Sequence, residues 1–274
     1  MNTARRIRGI IPVQEIEDIV EVGTTVPVRC KLENGINAIV KYMKNPYGEQ
    51  VLINEFIGSC IADRIDLSIP EYGICEFSPE VILQTNQNEE IDLYNAGPAF
   101  YTKEYSKTIP PNSPVLLGLA DNVNVEKLIL FDYLINNCDR HMGNLLLSLS
   151  DKTLYVIDHS HIITENCCRA SVSQFECELN MENLLSDRFL RVNGDVYKNI
   201  SAVAPIKKSV VIEDIVSIQK KITPEFLVEI REELPDAWTK SIGEEKLGII
   251  FEIIHKRCCM LNEIVDMIIK EVSI

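Results

Sequence analysis

Three side chains between residues 139 and 158 have the types and spacing that phosphoryl transfer needs. Asp139 and Asn144 stand five residues apart in a polar loop, and Asp158 follows 14 residues after Asn144. Between them, Leu145 to Leu149 reads as a strand, Ser150-Asp-Lys-Thr153 as a turn, and Leu154 to Ile157 as a second strand. A hairpin of this kind gathers Asp139, Asn144 and Asp158 at one end of a sheet. One carboxylate can then orient an attacking hydroxyl, while an amide oxygen and a second carboxylate hold Mg²⁺ on nucleotide phosphates. The competing reading is structural: Asp139 and Asn144 cap a turn, and Asp158 ends an edge strand.

The elements that must position these groups are visible on both sides. Residues 125–136 carry apolar positions at Leu128, Ile129 and Ile135 with Phe131 and Leu134 beside them, a helical stripe that delivers the chain to Asp139. Asp132 lies on that face and either bonds the catalytic loop or meets solvent at the helix edge. Upstream, residues 1–20 read as an irregular lead-in, and the strand-like run from Gly23 to Cys30 is broken by Pro27. Glu33-Asn-Gly35 is a turn signal before the return strand Asn37 to Tyr42, which contains Lys41. Residues 49–65 show helical spacing and carry Glu55, 14 residues after Lys41. Tyr72 to Phe77 reads as a strand, Val81 to Gln84 as a further strand, residues 85–90 as a polar turn, and Phe100 to Tyr105 as a strand or hinge. Ser106 to Pro114 holds three prolines and is the expected linker. Downstream, residues 165–208 are mixed. Helices are expected over 212–221, over 224–234 with Thr223 as N-cap, and as one long helix over 244–271.

Asp139-Arg-His-Met-Gly-Asn144 followed by Ile157-Asp-His159 resembles the catalytic and metal-binding segments of HipA-like kinases, themselves distantly related to phosphoinositide kinases. Leu67 to Phe77 and the Pro235–Trp238 segment are similar to the same family, so the resemblance spans about residues 20–240. It implies an α+β, bilobal protein-kinase-like fold, with a β-rich N-lobe over residues 1–108 and a mainly helical C-lobe over 109–274. It implies ATP and Mg²⁺ as cofactors. Asp139 would orient the acceptor hydroxyl and accept its proton, Asn144 and Asp158 would hold Mg²⁺, and Lys41, paired with Glu55, would bind the phosphates. His159 would stand where most kinases carry Phe after the metal-binding Asp. Taken alone, Lys41 is a solvated edge charge and Glu55 an exposed helix carboxylate. The stretch from Gly23 would cover the phosphates, without the usual glycine-rich motif.

Family members are protein Ser/Thr kinases, including bacterial toxin kinases that pair with a DNA-binding antitoxin. The resemblance therefore implies a protein substrate and allows an antitoxin-like partner, although this chain is too short for the toxins' extra N-terminal subdomain. Two other activities share the motif: a small-molecule or lipid kinase, and a non-catalytic nucleotide-binding module.

Composition sets the outer bounds. A net charge of −14 argues against general nucleic-acid binding and against an anionic lipid substrate. Stretches of about 18 uncharged apolar residues are missing, so a membrane span is not expected. Nine scattered cysteines fit reduced thiols in a cytoplasmic setting better than a disulfide framework. His159, His161, Cys167 and Cys168 are poorly spaced for zinc.

Overall fold

The structure is a computed structural model that describes residues 5–21, 24–85, 91–164 and 167–272. Gly23 and the polar turn at 86–90 lie outside the described residues.

Five strands near the N-terminus close into a barrel in the order β1-β2-β3-β5-β4. They are β1 (Arg6–Ile19), β2 (Val28–Leu32), β3 (Asn37–Lys41), β4 (Tyr72–Phe77) and β5 (Gly97–Lys103). The expected irregular lead-in is instead β1, which pairs antiparallel with β2 on one edge and parallel with β4 on the other. The ladder slips between Ile7 and Ile10, between Val13 and Glu15, and between Ile16 and Asp18. These irregularities put Val13 and Ile16, three residues apart, into the same core. The strict alternation that marks a strand in sequence is thereby lost. β2 starts only after Pro27, and Gly35 takes the left-handed conformation (φ +84°) that the β2–β3 turn requires.

Helix α1 (Gln50–Arg64) is buried from Gln50 to Ala62. A helix enclosed on all faces is a core element rather than a surface one. The strand expected at 81–84 is helix α2 (Pro79–Gln84), with the Ser78 side chain accepting from the Val81 amide at 3.3 Å and Pro79 at the first turn. A short apolar run is ambiguous by periodicity, and the cap decides it.

The chain then enters a second sheet of order β6-β7-β8: β6 (Thr108–Ile109), β7 (Leu145–Ser148) and β8 (Leu154–Val156). Between β6 and β7 run α3 (Pro114–Leu117) and α4 (Val125–Leu134), the latter capped by Asn124, whose side chain accepts from Lys127 N at 2.8 Å. The rest is helical: α5 (Val172–Cys177), α6 (Met181–Leu184), α7 (Arg188–Val192), α8 (Gly194–Ser201), α9 (Lys208–Lys221), α10 (Pro224–Glu232), α11 (Asp236–Ile242), α12 (Glu244–Cys259) and α13 (Val265–Val272). The single long helix expected over 244–271 is thus two. The backbone at Met260 (φ −96°, ψ 6°) ends α12, and a 3₁₀ turn over Leu261–Ile264 follows. The turn buries Leu261 and Ile264 completely and re-aims α13 onto α8 and α9. The sole tryptophan, Trp238, packs rather than binds: it is fully buried, stands edge-on to Phe56 of α1, and donates to the Pro98 carbonyl at 2.9 Å. The fold is that of a protein kinase, with a β-rich N-terminal part and a helical C-terminal part.

Candidate active site

The β7–β8 hairpin forms as the sequence implies. Leu145 pairs with Val156, and the Ile157 amide donates to the Asn144 carbonyl at 3.1 Å. This fixes Asn144 one residue away in register from Asp158. Asp139 lies in the loop between α4 and the 3₁₀ turn Met142–Asn144. Its amide donates to Asn137 Oδ1 at 2.9 Å, and its carbonyl accepts from Asn144 Nδ2 at 2.8 Å. Asp139, Asn144 and Asp158 line one cavity of about 610 Å³, with Thr24, Thr25 and His161 on its wall. The Asp139 side chain is exposed there, whereas Asn144 is 5% exposed.

Lys41 and Glu55 meet beneath this cavity. Lys41 Nζ donates to Glu55 Oε1, to Asp158 Oδ1 at 3.2 Å and to Ser160 Oγ at 2.7 Å. Glu55 is not an exposed helix carboxylate: it is 3% exposed, and it also accepts from the His159 amide at 3.1 Å and from Ser160 Oγ at 2.9 Å. Burial alone would raise the Asp158 carboxyl. The Lys41 charge and the Ser160 donors outweigh it and hold Asp158 well below the usual carboxylate range. Burial also opposes a charge on Lys41, but Asp158 and Glu55 together raise it above the ordinary lysine value. Lys41 and Asp158 are therefore both charged at neutral pH. Lys41, Glu55 and Asp158 also line a second, more apolar cavity of about 330 Å³ between the barrel and the second sheet, walled by Ile39, Phe100 and Tyr155. The two cavities share Gly143, Ile157 and Asp158.

The donor set fits a divalent cation. Asn144 spends its NH₂ group on the Asp139 carbonyl, which leaves Oδ1 as its acceptor. Lys41 and the Ser160 amide both bond Asp158 Oδ1, which leaves Oδ2. Two oxygens of this kind beside a phosphate suit Mg²⁺, a hard ion that keeps several waters.

Sequence reasoning missed the residue that ties the loop together. Arg140 is fully buried, pairs with the fully buried Asp132 of α4 at 3.0 Å, and donates to the Ile157 carbonyl at 2.7 Å. It thus links the Asp139 loop to the strand end before Asp158. Tyr197 donates to Asp132 at 2.9 Å, and Asn137 does so at 3.1 Å. Burial pushes the Asp132 carboxyl up, and Arg140, Tyr197 and Asn137 pull it back. Asn193 accepts from the Arg140 amide at 3.0 Å and donates to the Asn137 carbonyl at 2.8 Å. A buried network with its donors and acceptors matched is rigid. The open question on Asp132 is answered for the loop and against solvent. The available signal was an acidic residue on an otherwise apolar helix face, eight residues before an arginine.

Two further residues shape the Asp158 turn. Asp158 adopts φ +58°, outside the regions a non-glycine residue prefers. His159 is 2% exposed and stands edge-on to Phe131 at 5.2 Å, against Gly58 of α1. Burial first, and then the Arg140 charge, drive its pKa well below the usual histidine value. It packs as a neutral ring. Ser160, also missed, bridges Lys41 and Glu55 with one hydroxyl. Lys103 lines the apolar cavity and donates to Glu71 at 3.0 Å.

Known proteins agree with this geometry at the level of fold. The structure superposes on the Helicobacter pylori proinflammatory kinase CtkA with a TM-score of 0.52 at 14% identity, covering 94% of this chain and 96% of that one. It superposes on the Golgi casein kinase with a TM-score of 0.51 at 12% identity, covering 96% of this chain and 76% of that one. No curated protein matches in sequence. The sequence pattern of the HipA-like kinases matches residues 13–257. With that match over most of its length, the chain belongs to the HipA-like kinase family.

Proposed function

We propose that the chain transfers the γ-phosphoryl group of ATP, with Mg²⁺, to a Ser or Thr hydroxyl of a protein. The observation that carries this reading is the single network joining Lys41, Glu55, Ser160 and Asp158 at the junction of an apolar cavity and the cavity that holds Asp139 and Asn144. The apolar cavity takes the base, and Lys41 meets the phosphates, held in place by Glu55. Asn144 and Asp158 hold Mg²⁺, which neutralises phosphate charge. Asp139 orients the acceptor hydroxyl and takes its proton. Little covalent chemistry is asked of the protein, so the rate comes from positioning and charge stabilisation. Residues 1–108 form the nucleotide-covering lobe and 109–274 the catalytic lobe. The passage from the barrel to the second sheet between Lys103 and Thr108 supports that division. The net charge of −14 favours a protein hydroxyl over an anionic lipid.

The test is Mg²⁺-dependent ATP binding and turnover, comparing wild type with Asp158→Ala and Asp139→Ala. Asp158→Ala should lose the Mg²⁺-dependent part of binding. Asp139→Ala should bind ATP normally and lose turnover by about 10²-fold or more, as expected when an acid–base group is removed. ATP binding indifferent to both Mg²⁺ and Asp158 would overturn the reading.

A further inference from the structure

Behind the Lys41–Glu55–Asp158 network lies a pair of thiols with no part in the proposed reaction. Cys167 is fully buried and Cys168 half-buried, and their sulfurs stand 3.7 Å apart. Cys167 is bonded to the site from two directions. Asn54 Nδ2 donates both to Cys167 Sγ at 3.1 Å and to the Ser160 carbonyl at 2.6 Å. The Cys167 thiol lies 3.4 Å from that same carbonyl. On its other side it hydrogen-bonds His161, which lines the Asp139 cavity and stands edge-on to Tyr47. The hydroxyl of the same Ser160 bonds both Lys41 and Glu55. A continuous chain of contacts thus runs from the thiols to the ammonium of Lys41. Among the described residues no three His, Cys, Asp or Glu side chains gather as metal ligands, so the pair is not part of a metal cluster.

The setting favours thiolate chemistry. Cys168 donates to Cys167, and His161 and Asn54 add to that stabilisation, so the pair gives up its first proton below the usual thiol range. Cys168 also opens onto a surface cleft of about 340 Å³ that it shares with Lys246, whose charge faces both sulfurs. Cys168 is thus the reachable sulfur and holds the pair's remaining proton, its thiol pushed up by the bond it donates to Cys167, while the charged Cys167 sulfur lies against it.

We propose that Cys167 and Cys168 form a hydroperoxide-reactive dithiol that closes to a disulfide between neighbouring residues and loosens the Ser160 corner of the site. While the proton that the pair shares sits on Cys167, the Cys168 sulfur attacks the peroxide, and that proton then passes to the leaving oxygen. The O–O bond breaks, an alcohol or water leaves, and a Cys168 sulfenic acid remains. The Cys167 thiolate then attacks that sulfur, the S–O bond breaks, and the departing hydroxide takes up a proton to become water. Two thiols lose two electrons and the peroxide gains them. The sulfurs must close from 3.7 Å to about 2.05 Å. Disulfide formation removes the charged Cys167 sulfur that Asn54 and His161 bond. The effect on nucleotide affinity rests on the proposed function; the thiol chemistry does not.

Digestion after Lys152 and Arg169 releases Thr153–Arg169, a peptide that contains these two cysteines and no other. The full-length protein is treated with hydrogen peroxide, alkylated and digested. The expected peptide has lost two hydrogens and resists alkylation, before the exposed Cys177 and Cys259 are modified. Dithiothreitol restores it, and Cys168→Ser prevents it. Amide hydrogen exchange at His159 and Ser160, whose N–H groups bond Glu55 and Asp158, should accelerate on oxidation in wild type but not in Cys168→Ser. Mg²⁺-ATP affinity should fall by about tenfold, the lower end of what a lost outer-shell partner costs at a metal site. Two alkylated thiols in this peptide while Cys177 and Cys259 oxidise would overturn the dithiol. A disulfide with unchanged exchange at 159–160 would overturn its link to the site. Failure of ATP binding before any oxidation would count against the kinase reading alone.

Discussion

Gly58→Ala should damage the site without touching any polar group in it. A Cβ added at Gly58 would lie 2.6 Å from His159 Cβ and 2.7 Å from His159 Cγ, distances at which something must shift. α1 cannot retreat, because it is buried from Gln50 to Ala62. His159 cannot retreat either, because Phe131 backs its ring and its own amide is held by Glu55. Overpacking of this kind costs about 1–3 kcal/mol. Alanine is the better helix former by about 1 kcal/mol, which offsets part of that. The net expectation is a loss of about 0–2 kcal/mol, the packing cost less the helix gain. Glu55 lies three residues before Gly58 on the same helical face, so ATP affinity should fall as well. The assay is urea unfolding of four proteins: wild type, Gly58→Ala, His159→Ala and the double variant. With the His159 ring gone, the same Gly58→Ala change should become neutral or stabilising by up to about 1 kcal/mol, and the cycle isolates the coupling. Equal effects of Gly58→Ala in both backgrounds would refute the close-packing argument.

Three more outcomes follow from the same contacts. Folded His159 stays neutral, so the unfolded chain takes up a proton below pH 6.5 that the folded chain does not. Stability from this residue is complete above that pH and falls by about 1.4 kcal/mol per unit below it. His159→Phe in chelator should remove this acid-side slope, and parallel stability–pH curves for the two proteins would contradict it. Arg140→Met leaves Asp132 buried without its cation and should cost about 3–5 kcal/mol in chemical denaturation, whereas Arg140→Met with Asp132→Leu should cost clearly less; similar losses for both would mean the pair is not the source. Lys41→Met should weaken ATP binding and also lower stability, because Glu55 is left buried beside Asp158 without a counter-charge. A variant as stable as wild type would contradict that coupling.

The sequence was most legible where chemistry is local. Asp139, Asn144 and Asp158 fall within one strand-turn-strand unit, so their meeting needed only a correct hairpin. Lys41 and Glu55 were singled out by the family resemblance, on a return strand and a helix of clear period, and the two side chains do pair. What stayed hidden depends on distant partners. Arg140 is a loop arginine until α4 and the Ile157 carbonyl close around it, and Ser160 is an ordinary serine until Lys41 and Glu55 reach it from other elements. β1 was unreadable because its bulges destroy alternation. α2 was misread because its short apolar run outweighed the Ser78-Pro79 start signal. The break at Met260 carries no proline or glycine, and packing of α13 against α8 and α9 selects it.

The central claim is phosphotransfer from ATP that depends on Asp139. The most direct measurement is intact-mass spectrometry of the chain after incubation with Mg²⁺-ATP and a Ser/Thr peptide mixture, beside Asp139→Ala. The account predicts added phosphate, on peptide or on the chain itself, with wild type and none with Asp139→Ala. Phosphate transferred equally well by Asp139→Ala would contradict the assigned role. An ATP-binding wild type that transfers none to any acceptor would leave a nucleotide-binding module in place of an enzyme.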